Sequence, residues 1–215
     1  MREEVTQDAA RIGVDILWIP LGAGTGVGPR VVRFSGRTFE ALSATAERRP
    51  RQPLYHSALE VRLPEGRSVI EVTPIPRANG VDRGVVGEGA VGSRWLGRLR
   101  VFRYEVRRWQ DGTIPDAAEA TDIRRVVEDP ESARRIVALV PSVPTAVWGR
   151  DELGAGDMWN SNSVIAWLLV RAGIDPDGFG PPDGGRAPGW ASGIVVARRD
   201  GDRPTPAVGS GPGDS

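Results

Sequence analysis

Residues Val164 to Val170 read VIAWLLV, and a helix wound through them has no polar face. A helix that is apolar nearly all round has to be buried, so the rest of the chain must wrap it. Asn160, Ser161, Asn162 and Ser163 stand directly before the run, and Gly173 and Pro176 follow it. These are start and stop signals, and they predict a central helix over residues 160–172.

The remaining segments supply the wrapping. VDILWIPLG, residues 14–22, reads as a buried strand, and RVVRF after it as a second. GRTFEALSATAERR carries Phe39, Leu42 and Ala46 at helical spacing, with Ser35 as cap and Pro50 and Pro53 beyond its end. LYHSALEVRL and RSVIEVTPI read as strands joined through PEG, a hairpin signal. Residues 76–97 form a Gly-rich connection, and LRVFRYEVRRW is the next strand. PDAAEATDIRRVVE and DPESARRIVALV both read as helices, the second with Asp129 as N-cap and Pro130 at its first position. PSVPTAVWGRDELGAGD and FGPPDGGRAPG read as loops, and WASGIVVARR as a last strand. From Asp200 the composition is that of a disordered tail, and residues 1–12 read as a frayed start. The order gives an α+β class, an antiparallel sheet packed on the central helix, in one domain over 13–199.

Composition narrows the chemistry. The 215 residues suffice for a real core, and 28 basic residues balance 28 acidic ones. Global charge therefore points to neither nucleic acid nor an anionic membrane. Every basic residue is Arg, which fits a GC-rich bacterial genome. The absence of Cys removes disulfides and thiol catalysis, and a single His cannot build a zinc cluster. No calcium-loop spacing is found, so neither cofactor nor metal is expected. The start MREEVTQDAARIG lacks the apolar core of a signal peptide, and the longest apolar run is too short to cross a bilayer. A cytoplasmic protein without a membrane partner is the expectation.

Two places carry candidate chemistry. The first turn of the predicted helix offers free N–H groups and the positive dipole end, which favour an anion and can steady an oxyanion. Ser161 and Ser163 stand there. His56 lies mid-strand, where alternation puts His56, Ala58 and Glu60 on one face and Tyr55, Ser57, Leu59 and Val61 on the other. If the His56 face packs on the helix start, His56 can act as base to a serine. Taken singly, Ser before a helix is most often a cap, and a lone strand His most often structural.

The two stretches together resemble the circularly permuted papain-like proteins, relatives of the NlpC-type peptidases that include the PPPDE deubiquitinase-like and lecithin:retinol acyltransferase groups. LYHSALEV is similar to their His strand. NSNSV is similar to their N-C-N-x-F helix start, with Ser161 in the place of the nucleophilic Cys, Asn160 and Asn162 flanking it, and Val164 at the hydrophobic position. The likeness spans residues 54–173, with His before nucleophile as in the permuted order. It implies a hydrolase or acyltransferase of peptide, amide or ester bonds. Ser161 would attack, His56 would move the proton, and Asn160 or Asn162 would steady the oxyanion. The alternative is a catalytically inactive module binding a peptide-like or acyl ligand, with Ser161 as helix cap. Trp159, Tyr55 and Ser163 would line the groove, although core packing is the commoner role for a tryptophan such as Trp159.

Ser for Cys departs from the family, because a serine needs a base aligned by a third group. Glu71 is the first candidate for that group. A turn at Glu65-Gly66 pairs it with Glu60, about 13 Å from His56. Thr73, diagonal to His56, would orient the ring weakly. The loop acids Asp151, Glu152 and Asp157 read as solvated, with a carboxylate there as another possible partner of His56. GAGTGVGP lacks the Lys and following helix of a phosphate loop. Arg94, Arg98, Arg100, Arg103, Arg107 and Arg108 read as a solvated edge, with nucleic-acid binding a weak second.

Overall fold

In a computed structural model, residues 12–21, 52–75, 83–114 and 116–202 are described. Six strands form one antiparallel sheet: β1 Gly13–Pro20, β2 Tyr55–Leu63, β3 Gly66–Pro74, β4 Val85–Ala90, β5 Arg103–Gln110 and β6 Asp122–Val127. Their spatial order is β4-β5-β3-β2-β1-β6. Three α-helices follow among the described residues: α1 Pro130–Leu139, α2 Ser161–Arg171 and α3 Trp190–Gly201. The α+β reading and the antiparallel sheet hold.

The core explains the arrangement. Val14, Ile16 and Trp18 of β1, Leu59 and Val61 of β2, Ile70 and Val72 of β3, and Tyr104 and Val106 of β5 meet α2 in one cluster. Each set steps by two residues, as one face of a strand must. α2 is buried from Ser161 to Leu169, as its lack of a polar face requires. A smaller cluster of Leu17, Ile19, Ala58, Val69 and Ile114 lies on the reverse face of the sheet.

Several expectations change. PDAAEATDIRRVVE is not a helix: a 3-10 turn at Ala117–Glu119 leads into β6, whose Ile123 pairs with Leu17 on the open edge of β1. Edge pairing and the β-branched residues of DIRRVV outweigh the helical spacing. WASGIVVARR is not a strand but α3. Its buried Ser192, Gly193, Val196 and Ala197 recur at helical spacing, and Gly193 lies so close to Ser163 O that a side chain has no room. β4 lies within the expected Gly-rich connection, which ends in a 3-10 turn at Leu96–Arg98, and residues 100–102, expected as the start of a strand, form a second 3-10 turn. The β2–β3 hairpin turns at Pro64-Glu65, with Leu63 opposite Gly66, so Glu60 faces Val69 and not Glu71. Asp129 caps α1, accepting from Ser132 N at 2.7 Å, with Pro130 at the first position. RVVRF, GAGTGVGP, the helix expected over 36–49, the frayed start through residue 11 and the tail beyond residue 202 lie outside the described residues, whereas Asp200 and Gly201, expected in the tail, are the last residues of α3.

Candidate functional site

The start of α2 is built by its asparagines. Asn160 is the N-cap, and its Oδ1 accepts from Asn162 N at 2.9 Å and Ser163 N at 3.4 Å. Ser163 closes the capping box by accepting from Asn160 N at 3.1 Å. The cap is therefore Asn160, and Ser161 does not cap, contrary to the expectation for an inactive module. Asn160 Nδ2 donates to Pro188 O at 2.8 Å. Asn162 Nδ2 reaches Pro188 O and Tyr55 O, each at 3.0 Å, and Asn162 Oδ1 accepts from Ser57 Oγ at 2.9 Å. The Ser163 hydroxyl lies 2.8 Å from Gly189 O and 3.1 Å from Met158 O, either of which can take its proton.

These bonds fasten Pro188, Gly189 and the first residues of β2 onto the helix start. Gly189 has φ +84, and a Cβ there would sit 2.6 Å from both Asn160 Oδ1 and Ser163 Oγ, so only glycine fits. Its N–H donates to Asp157 Oδ2 at 2.6 Å, and the other Asp157 oxygen takes Met158 N at 2.7 Å. Ser161 is 3 % exposed inside this frame. Trp159 is buried in the core rather than lining a groove, and Tyr55 packs against the same core.

His56 lies elsewhere. Its cross-strand partner is Ile19, which belongs to the reverse-face cluster with Ala58, two residues along from His56. Ser57, the next residue, points to the helix, as its bond to Asn162 fixes. By strand alternation the sheet stands between the imidazole and Ser161. The expectation that the His56 face packs on the helix start is corrected: the Tyr55, Ser57, Leu59 and Val61 face does so. His56 is half-buried, and desolvation pushes its imidazole down to about 4, which keeps it neutral near pH 7 and makes it a weak base.

The two expected orienting residues share the reverse face with His56, because Ile70 and Val72 on either side of Glu71 enter the main core. Glu71 is occupied by Arg107, whose Nη1 donates to it at 3.0 Å. Arg107 also grips Glu105 through Nη2 at 2.6 Å and Nε at 2.8 Å. Desolvation raises the Glu71 carboxyl above its ordinary range despite the guanidinium. Among the described residues, Thr73 Oγ1 reaches only Pro74 O, at 3.5 Å. The loop acids are also committed: Asp151 holds Ala155 N and Gly156 N, and Glu152 takes Val147 N and pairs with Arg94.

The candidates thus fall into two sets: Ser161, Asn160, Asn162, Ser163, Trp159 and Tyr55 on the helix side, and His56, Glu71 and Thr73 on the reverse side. Ser57, Asp157, Gly189, Glu105 and Arg107 were not expected in their roles. Only Ser57 left a signal, standing among the apolar residues of the helix-facing side. Among the described residues, no group of three or more His, Asp or Glu side chains could hold a metal ion. No family model, curated protein or solved structure matches the chain.

Proposed function

We propose that the chain is a non-catalytic interaction module, papain-like in permuted order, in which the Asn-Ser-Asn-Ser turn fastens structure instead of performing acyl transfer. The observation that carries this reading is the Ser57–Asn162 bond, which turns the opposite face of β2, with His56, away from the helix start. A serine has almost no nucleophilicity without an adjacent base, and the only imidazole of the chain lies across the sheet. The burial of Ser161 supports the reading from a second side, since an acyl carbon has to reach the hydroxyl. Pro188 O and Gly189 O already take the polar hydrogens of Asn160, Asn162 and Ser163 at the helix start, which leaves those groups committed rather than offered to a peptide or acyl ligand.

The test is labelling with a fluorophosphonate probe. The native chain should remain unlabelled and match Ser161→Ala. Labelling that both Ser161→Ala and His56→Ala abolish would overturn the reading. Because the chain has no cysteine, Ser161→Cys gives a single thiol. That thiol should be silent toward Ellman's reagent in the folded protein and reactive in urea. Fast reaction in the folded state would mean an open site.

A further inference from the structure

We infer that the β4–β5 connection is a peripheral docking surface for anionic lipid. Four of the large apolar residues that stand exposed lie within residues 95–102: Trp95 at 69 %, Leu99 at 55 %, Val101 at 76 % and Phe102 at 37 %. Concentrated apolar exposure of this kind marks an interaction site. The segment is held rather than loose. Val91 N donates to Phe102 O at 2.8 Å, Leu96 N to Ser93 Oγ at 3.2 Å, and Arg94 pairs with Glu152. Two successive 3-10 turns, Leu96–Arg98 and Arg100–Phe102, carry the side chains outward.

Charge selects the partner. No carboxylate occurs in the sequence between Glu88 and Glu105, whereas Arg94, Arg98, Arg100 and Arg103 do. Arg103 is matched by Glu88 at 2.7 Å, while Arg98 and Arg100 are exposed and have no ion-pair partner among the described residues. A second copy of the chain would set arginine against arginine. Nucleic acid would satisfy the guanidinium groups but give Leu99 and Val101 nothing to bury against. A leaflet of anionic lipid offers phosphate to Arg98 and Arg100, and hydrocarbon within reach of Trp95, Leu99 and Val101. The mode is peripheral: among the described residues no helix is long and apolar enough to cross a membrane. The inference does not depend on the absence of catalysis at the helix start.

The experiment is flotation of the full chain with vesicles of phosphatidylcholine alone or mixed equally with phosphatidylglycerol. A single-stranded DNA oligonucleotide is run in parallel by anisotropy. The chain should float with the anionic vesicles only, and release as salt is raised. The double variants Leu99→Asp/Val101→Asp and Arg98→Glu/Arg100→Glu should each weaken binding by roughly tenfold or more. Both alter exposed side chains, so their circular dichroism should match the native chain. No flotation with anionic vesicles, equal flotation with neutral ones, flotation that both variants retain, or oligonucleotide binding without vesicle binding would each overturn the inference.

Discussion

Ser57 Oγ donates to Asn162 Oδ1 at 2.9 Å, across 105 residues of sequence. Both side chains are buried, and the Asn162 amide also serves Tyr55 O and Pro188 O. Asn162→Ala leaves these groups without their partner, and the expected loss is about 3 kcal/mol. Ser57→Ala should cost about 1–2 kcal/mol by the same argument. Because the two share one bond, the double variant should lose less than the sum, by roughly 1 kcal/mol. Urea unfolding of the four proteins measures this. Strict additivity would mean that the bond is not formed in solution.

Gly189 and Gly156 offer a controlled pair. Both have positive φ, +84 and +88, so alanine is strained at each. At Gly156 a Cβ meets nothing within 4 Å, whereas at Gly189 it meets the capping-box oxygens at 2.6 Å. Gly156→Ala should cost about 1 kcal/mol, and Gly189→Ala clearly more, about 3 kcal/mol or above. Thermal melts of the two variants should rank in that order. Equal shifts would mean that Pro188 and Gly189 do not seat on the helix start as described.

The contrast between β2 and the segments after β5 shows what the sequence could reveal. The alternation of YHSALEV separates His56 from Ser57 without coordinates, and the apolar run of α2 announces its own burial. Which face of β2 meets α2 was also open to reading. Leu59 and Val61 make the Ser57 face the more apolar one, and an apolar helix needs that face. The β6 and α3 segments were harder. DIRRVV becomes a strand because β1 has an open edge for it, and SGIVV becomes helical because Gly193 lets α3 approach α2 closely. Those are tertiary facts, and local spacing does not encode them. The orienting role given to Glu71 failed because Arg107, distant in sequence, takes its carboxylate.

The neutral state of His56 makes stability depend on pH. Its folded value lies at about 4, below the ordinary 6.5, so the unfolded chain binds the proton more readily. Its contribution is complete above pH 6.5 and is lost as pH falls from 6.5 toward about 4. A shift of this size corresponds to about 3 kcal/mol. His56→Gln removes the titration and keeps a polar side chain. Between pH 7 and pH 4.5 the native chain should lose about 2–3 kcal/mol more than the variant in urea unfolding. Parallel pH profiles would mean that the ring is solvated.

Arg107 carries two buried carboxylates. Its side chain is 5 % exposed, and those of Glu71 and Glu105 are 9 % and 10 % exposed. Removing one member of a buried ion network leaves charge uncompensated, so Arg107→Met should cost about 3–5 kcal/mol near pH 7. With the guanidinium gone, desolvation, the largest influence on Glu71, is opposed only by the more weakly acting Arg83 and raises its carboxyl further. Glu71 then takes up a proton at a pH where the native chain keeps it ionised, and the neutral acid is tolerated in the core. The deficit of the variant should therefore shrink as pH is lowered toward 5. The combined change Glu71→Gln/Arg107→Met should recover part of the loss at pH 7, because it removes one of the stranded charges. Urea midpoints of the native chain and both variants, taken at pH 7 and pH 5, read the effect. A deficit independent of pH and unrelieved by Glu71→Gln would assign the role of Arg107 to packing instead of charge.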